Sequence, residues 1–512
     1  MLPAMPKIKI DRAKISELLD DFNDASLCVP EFQRDYVWKE HQVPKLLQSI
    51  YHSLPISAFL VWKTDESIFK QDGSKKNSHE VKWLVDGQQR ITSLQKIISG
   101  DIPVVFNPST GEFQRPSGSA NPARSGDWFY VYEILKEDSF LHPTGSAEIR
   151  NAFKQLRKVL EDYEVPLITM DGHTLEQANT AFDRINSKGL KPNKNDIQSA
   201  YIAAEHTGLI ASKVSPFIRK IWNDGFNRIN RGLLFEVCRF IVNSDGRNKT
   251  PLHKFPKELV EEAWDRTAKA TCRTVEFIKQ EFGLVNMNLG WSHNLLIPAI
   301  ALFDRWETEK TEPEINGLSA WIALASVHHR YTTSAVGHIA KDLNACKQND
   351  PIGALLKNLR NTSKTDALIA MPKHFQGQIQ DKGALFAAYI ACRYKEMRDF
   401  ISKEKIVKYE DIDKHHIMPR KYADNPLDAK RFDTIANFAF IKSKTNRGDI
   451  GDDSPNIYIP KVSIEVRNSQ CVPMLDEYSI DDAEIFWQQR SVLLSEAFNE
   501  YVRTKLPNRK LS

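Results

Sequence analysis

The chain of 512 residues carries 70 Lys and Arg against 66 Asp and Glu, which leaves a formal charge of +4. With 41% hydrophobic and 27% charged residues it falls outside the disordered, collagen-like and disulfide-scaffold classes. A charge this small on this length excludes a histone-like polycation but not a local basic groove for nucleic acid.

The first ~170 residues mix element types, and at roughly 100–200 residues per domain the whole length fits two to four domains. Residues 12–22 and 42–53 are predicted as short amphipathic helices. Residues 57–62 and 81–85 are predicted as strands, being short, apolar and bounded by polar segments. The Gly-, Ser-, Lys- and Asn-rich stretches 70–80 and 114–126 read as surface loops. From about 174 to 400 the pattern is helical, with Leu233, Phe235, Val237, Phe240 and Ile241, then Leu295 to Phe303, then Trp321 to Val327 as core. Trp222, Trp264 and Trp321 are assigned to packing. The longest apolar run, Leu295 to Phe303, contains Pro298 and falls short of the ~20 residues that span a bilayer. The N-terminus has no apolar segment of the export type. Six cysteines, Cys28, Cys238, Cys272, Cys346, Cys392 and Cys471, form no C-x-x-C pair. A cytoplasmic protein with reduced thiols and no membrane partner is therefore expected. A texture richer in His, Lys, Arg, Asn and Asp begins near 404. The expected domains are 12–200, 201–403 and 404–500.

Three N-terminal segments carry polar side chains in unusual density: Pro30 to Trp38, Trp83 to Arg90 and Phe182 to Gly189. In the second, a strand runs into Asp86-Gly87 and then a helix with Ile91, Leu94 and Ile98 on one face. Asp86 is placed to cap that helix. Such a junction aims backbone N–H groups at one spot, where the helix dipole favours an anion. Arg90 has a fork for phosphate oxygens, Gln88 and Gln89 can bond a base or sugar, and Asp86 can hold a metal against a phosphate. A capped helix with an exposed polar first turn is the bland alternative. The third segment reads as a helix end, with Arg184 and Asn186 as its polar side chains and Gly189 as a left-handed cap. Neither G-x-x-x-x-G-K-[ST] nor G-x-G-x-x-G occurs, which excludes P-loop and Rossmann nucleotide sites.

Near the C-terminus, Asp411 to Arg420 contains His415-His416 and Pro419, followed by Asn437 and Asn446. Adjacent histidines on a strand point to opposite sides, so one can bind a metal while the other faces substrate. Asn437 can hold the base histidine's loop, and Asn446 falls where a helix returns a second ligand to the metal. That is the layout of a one-metal phosphodiesterase. Arg420, Lys421, Lys442, Lys444 and Arg447 surround it as candidate contacts to a DNA backbone. A second pair, His328-His329 before Arg330, has no matching Asn residues downstream and reads as a helix end.

The segments Gln33-Arg34 with Tyr36 and Trp38, then Asp86-Gly87-Gln88-Gln89-Arg90, then Phe182 to Gly189, resemble the N-terminal domain of the GmrSD family over about residues 12–200. That family comprises modification-dependent (type IV) restriction endonucleases and related phage-defence proteins. The resemblance implies a ParB/sulfiredoxin-like fold and a nucleoside triphosphate, GTP or ATP, at Gln33, Arg34, Asp86, Gly87, Gln88, Gln89, Arg90, Arg184 and Asn186. Asp35 stands where the family commonly has proline. The set His415, His416, Pro419, Asn437, Asn446 resembles the HNH (ββα-metal) nucleases over about residues 404–450. It implies His416 as general base, Asn437 as the middle Asn, and His415 and Asn446 as ligands of a divalent ion, Mg²⁺ or Mn²⁺. Asn446 replaces the third His of many such enzymes. The fold expected is α+β and mostly helical, and the function expected is a DNA endonuclease of restriction type, on modified phage DNA, under nucleotide control. Two alternatives stand beside it: a nucleotide- or DNA-binding regulator with a degenerate nuclease module, and a toxin-like nuclease acting on RNA or host DNA.

Overall fold

The computed structural model describes residues 6–507 with the exception of 32, 34–35, 37, 39–40, 65–67, 70–74, 77–80, 117–119, 121–125, 137–145, 175–176, 179, 182–193, 207, 244–249, 290, 307–310, 333, 363–366 and 424–427. The architecture is α+β and mostly helical, in two compact units, Met1–Pro216 and Phe217–Ser512. Among the described residues no helix is long and apolar enough to cross a membrane.

The first unit is built on a five-stranded sheet of β1 (Lys7–Lys14), β2 (Leu27–Cys28), β3 (Phe59–Lys63), β6 (Lys82–Asp86) and β10 (Glu164–Asp171), in the order β1-β10-β3-β6-β2. Its helices are α1 (Ile15–Asn23), α2 (Gln42–Tyr51), α3 (Gln88–Ser99), α4 (Val131–Leu135), α5 (Ala147–Asp162) and α6 (Lys194–Glu205). Strands alternate their side chains between faces, and this sheet buries both. Phe59, Val61 and Leu84 join Ile15, Leu47 and Ile91 on one side. Leu60, Trp62, Trp83 and Val85 pack with Cys28 and Met170 on the other. The helix expected over 12–22 begins only at Ile15, because β1 pairs with β10 along its whole length as far as Lys14. Glu17 Oε2 then accepts from the Lys14 N–H at 3.1 Å. Within the expected loop 70–80, Lys75–Lys76 is a strand, β5, paired with β4 (Ile68–Phe69). A separate small sheet joins β7 (Val105–Asn107) to β8 (Glu112–Gln114) and β9 (Phe129–Tyr130).

The second unit packs α7 (Arg231–Val242), α8 (Lys257–Phe282), α9 (Leu296–Arg305), α10 (Glu312–Val327), α11 (Ala335–Ala345), α12 (Pro351–Arg360) and α13 (Lys382–Tyr394). Trp264 and Trp321 are buried, and Trp222 Nε1 donates to the Ile229 carbonyl at 2.6 Å, so all three serve packing. A two-stranded antiparallel pair follows, β11 (Ile412–His416) and β12 (Phe438–Lys442), with His415 opposite Ala439 and His416 opposite Phe438. Helices α14 (Ile464–Ser469) and α15 (Ala483–Lys505) close the chain. A core of Phe400, Ile417, Met418, Ile441, Tyr458, Ile459, Phe486 and Trp487 packs around this pair.

Candidate functional site

The two histidines occupy the last positions of β11, and strand alternation sends their rings apart. His416 faces outward, 30% of its side chain exposed, with its ring tilted against Phe438 at 4.4 Å. Its Nε2 lies 3.0 Å from Asp433 Oδ1. A carboxylate only accepts, so Nε2 carries the proton and Nδ1 keeps a free lone pair. That is the state of a general base oriented by an acid. Arg420 Nη1 stands 3.5 Å from the other oxygen of Asp433.

His415 faces inward and is 2% exposed. Its Nδ1 lies 2.7 Å from Asn446 Oδ1, and its Nε2 lies 2.9 Å from the Tyr458 hydroxyl. The donors can be counted. Asn446 Nδ2 donates to Asp413 Oδ2 at 3.0 Å, which turns Oδ1 toward the histidine. Tyr458 donates its one proton to the Ile417 carbonyl at 2.8 Å, so it accepts from His415, and Nε2 is the protonated nitrogen. In that tautomer the lone pairs of His415 Nδ1 and Asn446 Oδ1 face each other at 2.7 Å. Only a proton or a cation bridges such a pair. A bridging proton would make an imidazolium, and burial pushes the His415 pKa down to about 4 despite the Asn446 hydrogen bond. The other tautomer supplies a proton by breaking the Tyr458–Ile417 bond. His415 Nδ1 and Asn446 Oδ1 are the two atoms here that could hold a cation. Asp413, whose carboxyl would rise through burial, is held below its ordinary range by Arg447, Asn446 and Ser443. Among the described residues no group of three or more His, Cys, Asp and Glu converges, so the donor set is not a closed zinc site.

Asn437 is fully buried and does not face solvent. Its Nδ2 donates to the carbonyls of Met418 (2.9 Å) and Phe432 (2.8 Å), and its Oδ1 accepts from Met418 N (2.8 Å). It thus ties the turn after His416 to the segment that carries Asp433. The basic residues divide. Arg447 makes two bonds to Asp413, at 2.7 and 2.9 Å, and Lys442 pairs with Glu404. Both of these pairs lie at the surface, with the Arg447 side chain 74% exposed. Lys421 lies over the Tyr422 ring at 5.1 Å, and Lys444 is exposed just before a π-helical turn, Thr445–Ile450.

In the first unit, Gln33, Tyr36 and Trp38 lie beside β6 and α3. Gln33 Nε2 donates to the Val85 carbonyl at 2.7 Å, where the register between β3 and β6 shifts and frees that oxygen. Tyr36 bonds Ser93 at 2.9 Å, and the Trp38 N–H donates to Gln89 Oε1 at 3.2 Å. Two of the three segments therefore meet. Arg34, Arg184 and Asn186 lie outside the described residues. Gly87, at φ +108°, takes the position before α3; a Cβ there would strike Phe59. Asp86 is consequently not the cap. It pairs instead with Arg90, Nη2 to Oδ2 at 2.8 Å. Arg90 also donates to the carbonyls of Ile56 (2.7 Å) and Ala58 (2.9 Å) and lies over the Phe59 ring at 4.5 Å. Its fork is turned inward and engaged, contrary to the phosphate role expected of it, and Asp86 is engaged with it rather than free for a metal. Gln88 is buried. Ile98 is exposed, and Ile97 joins Ile91 and Leu94 on the buried face.

Asp433 and Tyr458 lie outside the sequence motif, and Asp413 lies within it but was given no role. Asp413 had one signal, its place two residues before His415 on the same strand face. Asp433 ends the 3₁₀ turn Asp428–Asp433 and Tyr458 the short helix Pro455–Tyr458, and neither had a signal near the motif. Aligned with known proteins, 90% of the chain is 21% identical over 538 positions to 88% of an uncharacterized protein of Methanocaldococcus jannaschii, so the similarity extends through both units. Residues 15–203, which hold four of the five strands of the sheet and α3, match the family model described as GmrSD restriction endonuclease, N-terminal domain.

Proposed function

We propose that the protein is a divalent-metal-dependent DNA endonuclease of restriction type, with an HNH-like site in its second unit and a ParB/sulfiredoxin-like first unit that binds a nucleoside triphosphate. The observation that carries the reading is the pair of histidines facing apart on β11, one backed by Asp433, the other converging with Asn446. His416 Nδ1 takes a proton from water as the water oxygen attacks phosphorus; one P–O ester bond breaks, and the leaving oxygen is protonated from solvent. His415 Nδ1 and Asn446 Oδ1 would hold a Mg²⁺ or Mn²⁺ ion, which keeps most of its shell as water and supplies charge to the phosphate and leaving oxygen. The match of residues 15–203 to a restriction-endonuclease domain supports DNA as substrate and defence as the setting.

Nucleotide control is assigned to the junction at Gly87 and Gln88, with Arg90 holding the junction rather than the phosphates. Any effect of nucleotide on cleavage is a coupling between two sites, expected at about 1–3 kcal/mol. The test is nicking of supercoiled plasmid by wild type and His416→Ala, with Mn²⁺, with EDTA and with GTP or ATP, on unmodified and modified phage DNA, with RNA in parallel. Loss of about 10²–10⁴-fold in His416→Ala supports the reading. Equal rates in a folded His416→Ala protein, or full activity in excess chelator, reject it. Cleavage of RNA alone would select the toxin-like alternative.

A further inference from the structure

The second histidine pair does end a helix, as its sequence context implied: α10 stops at Val327 and His328 follows as its cap. Its second member, His329, also borders a cavity of about 410 Å³. One wall is the end of α10 and the turn to Thr332; the other is Gln380 to Gly383 at the start of α13. Gly383 lets these walls meet, because a Cβ there would run into the Ser326 carbonyl. His329 Nε2 meets Asp381 Oδ2 at 3.1 Å, and Asp381 Oδ1 also accepts from Ala384 N at 2.9 Å. The carboxylate of the cavity is therefore neutralised within its own wall. Hydroxyl and amide groups of Ser292, Thr332 and Gln380 remain, with the Lys382 ammonium, which donates to the Ile379 carbonyl at 2.9 Å.

The cavity wall is continuous with the segment that orients His416. Ile379 N donates to the Asp433 carbonyl at 2.9 Å, and Ile435 N to that of Gly377 at 2.8 Å, so Asp433 is paired to the strand-like stretch that leads into Gln380. Lys414 lies two residues before His416 and so shares its face of β11. Burial, then the charges of Lys414 and Arg228, hold the Lys382 pKa below its ordinary value. A lysine whose charge is disfavoured at the wall of a cavity gains from a phosphate placed beside it. The volume falls in the range of about 300–1,000 Å³ typical of small-molecule sites, enough for one nucleotide unit.

We propose that this cavity is a substrate subsite, seating the sugar and phosphate of one nucleotide beside the cut, with Lys382 on the phosphate oxygens. The inference rests on the reading that His416 cleaves a nucleic acid. The probe is a short fluorescein-labelled DNA duplex, titrated by anisotropy across a range of salt into His416→Ala, and into the same protein carrying Lys382→Gln or Thr332→Trp. Lys382 and Thr332 are exposed, so both variants should fold, which a melting curve checks. Lys382→Gln should weaken binding and reduce the slope of log K against log salt by about 1. Thr332→Trp should weaken binding by obstruction while leaving the slope near that of its parent. Parent-like affinity and slope in both variants overturn the subsite while leaving the nuclease reading intact. No binding by the His416→Ala parent, with no cleavage by wild type, overturns both.

Discussion

Arg90 offers the sharpest discrimination between a ligand-binding and an architectural role for the Asp86-to-Arg90 segment. Its side chain is 10% exposed and makes three bonds, to Asp86 and to the carbonyls of Ile56 and Ala58, above the Phe59 ring. Burial alone lowers its pKa, and Asp86 partly restores it, so the pair shields a charge that would otherwise be costly to bury. Removing one partner of a buried pair costs about 3–5 kcal/mol, because the other charge is left behind. Asp86 keeps 25% of its side chain exposed, so water can reach it. The expected loss for Arg90→Ala is thus at the low end, about 3 kcal/mol. Arg90→Lys retains the charge but has no planar fork to span two carbonyls and a carboxylate, and should lose about 1–2 kcal/mol. Urea unfolding gives the total, and hydrogen exchange of the α3 amides localises it, since the two units need not unfold together. A change below about 0.5 kcal/mol in Arg90→Ala, coupled to loss of triphosphate binding in calorimetry, would refute the clamp and return Arg90 to the phosphates.

Asp433→Asn replaces the acceptor that fixes the His416 tautomer, and nicking should fall by about 10²-fold or more with unchanged melting; wild-type rates would exclude Asp433 as the orienting acid. Tyr458→Phe removes the group that keeps the His415 proton on Nε2, and Mn²⁺ affinity by calorimetry should fall about 10–100-fold, an effect absent if the cation sits elsewhere. The His329–Asp381 pair should make stability depend on pH. His329 is raised above 6.5, by its bond to Asp381 against burial, so its contribution is complete below 6.5 and is lost as pH rises through the folded value. Asp381, which burial would raise, is lowered below 3.8 by His329 and backbone N–H groups, so its share is present above 3.8 and lost as pH falls. The pair is half exposed, so His329→Asn should cost only about 0.5–1 kcal/mol more at pH 5 than at pH 8; equal costs at both would show that the pair contributes nothing.

Local patterns exposed much of this architecture in the sequence. The strand over 81–85, the α3 helix and the two early helices follow from apolar spacing and punctuation, which are properties of a few consecutive residues. His415, His416 and Asn446 were legible as a set, and the structure brings His415 and Asn446 within 2.7 Å of each other. What the sequence could not show is where each polar group spends its bonds. Arg90 reads as a phosphate fork only until Ile56 and Ala58, more than thirty residues earlier, are seen to take its donors. Lys442 and Arg447 look like a basic track until Glu404 and Asp413 are placed beside them. Helix register fails in the same way at Ile98, because the neighbour that buries Ile97 instead is supplied by tertiary packing.

The histidine strand itself shows why the site needs so much of the second unit. A two-stranded pair is marginal alone, and its outer edge presents unpaired backbone groups. Here buried side chains take those groups one by one. Gln470 accepts from Phe440 N at 3.2 Å and donates to the Phe440 carbonyl at 2.6 Å, acting as a one-residue substitute for a third strand. Asp399 accepts from Lys442 N at 2.8 Å and from the Thr445 hydroxyl at 2.8 Å, fixing the turn that delivers Asn446. Arg490, fully buried on α15, donates to the carbonyls of Ala436 (2.7 Å) and Gln470 (3.0 Å), so the helix holds both Asn437's neighbour and the residue that caps β12. The two histidines are therefore positioned by residues reaching from 399 to 490, and the short motif around them is the visible part of a much longer hydrogen-bonded frame. Two side chains set on opposite faces of one strand can keep their geometry only if that strand cannot twist or slip. The frame supplies this restraint through groups that no spacing rule along the chain would pair.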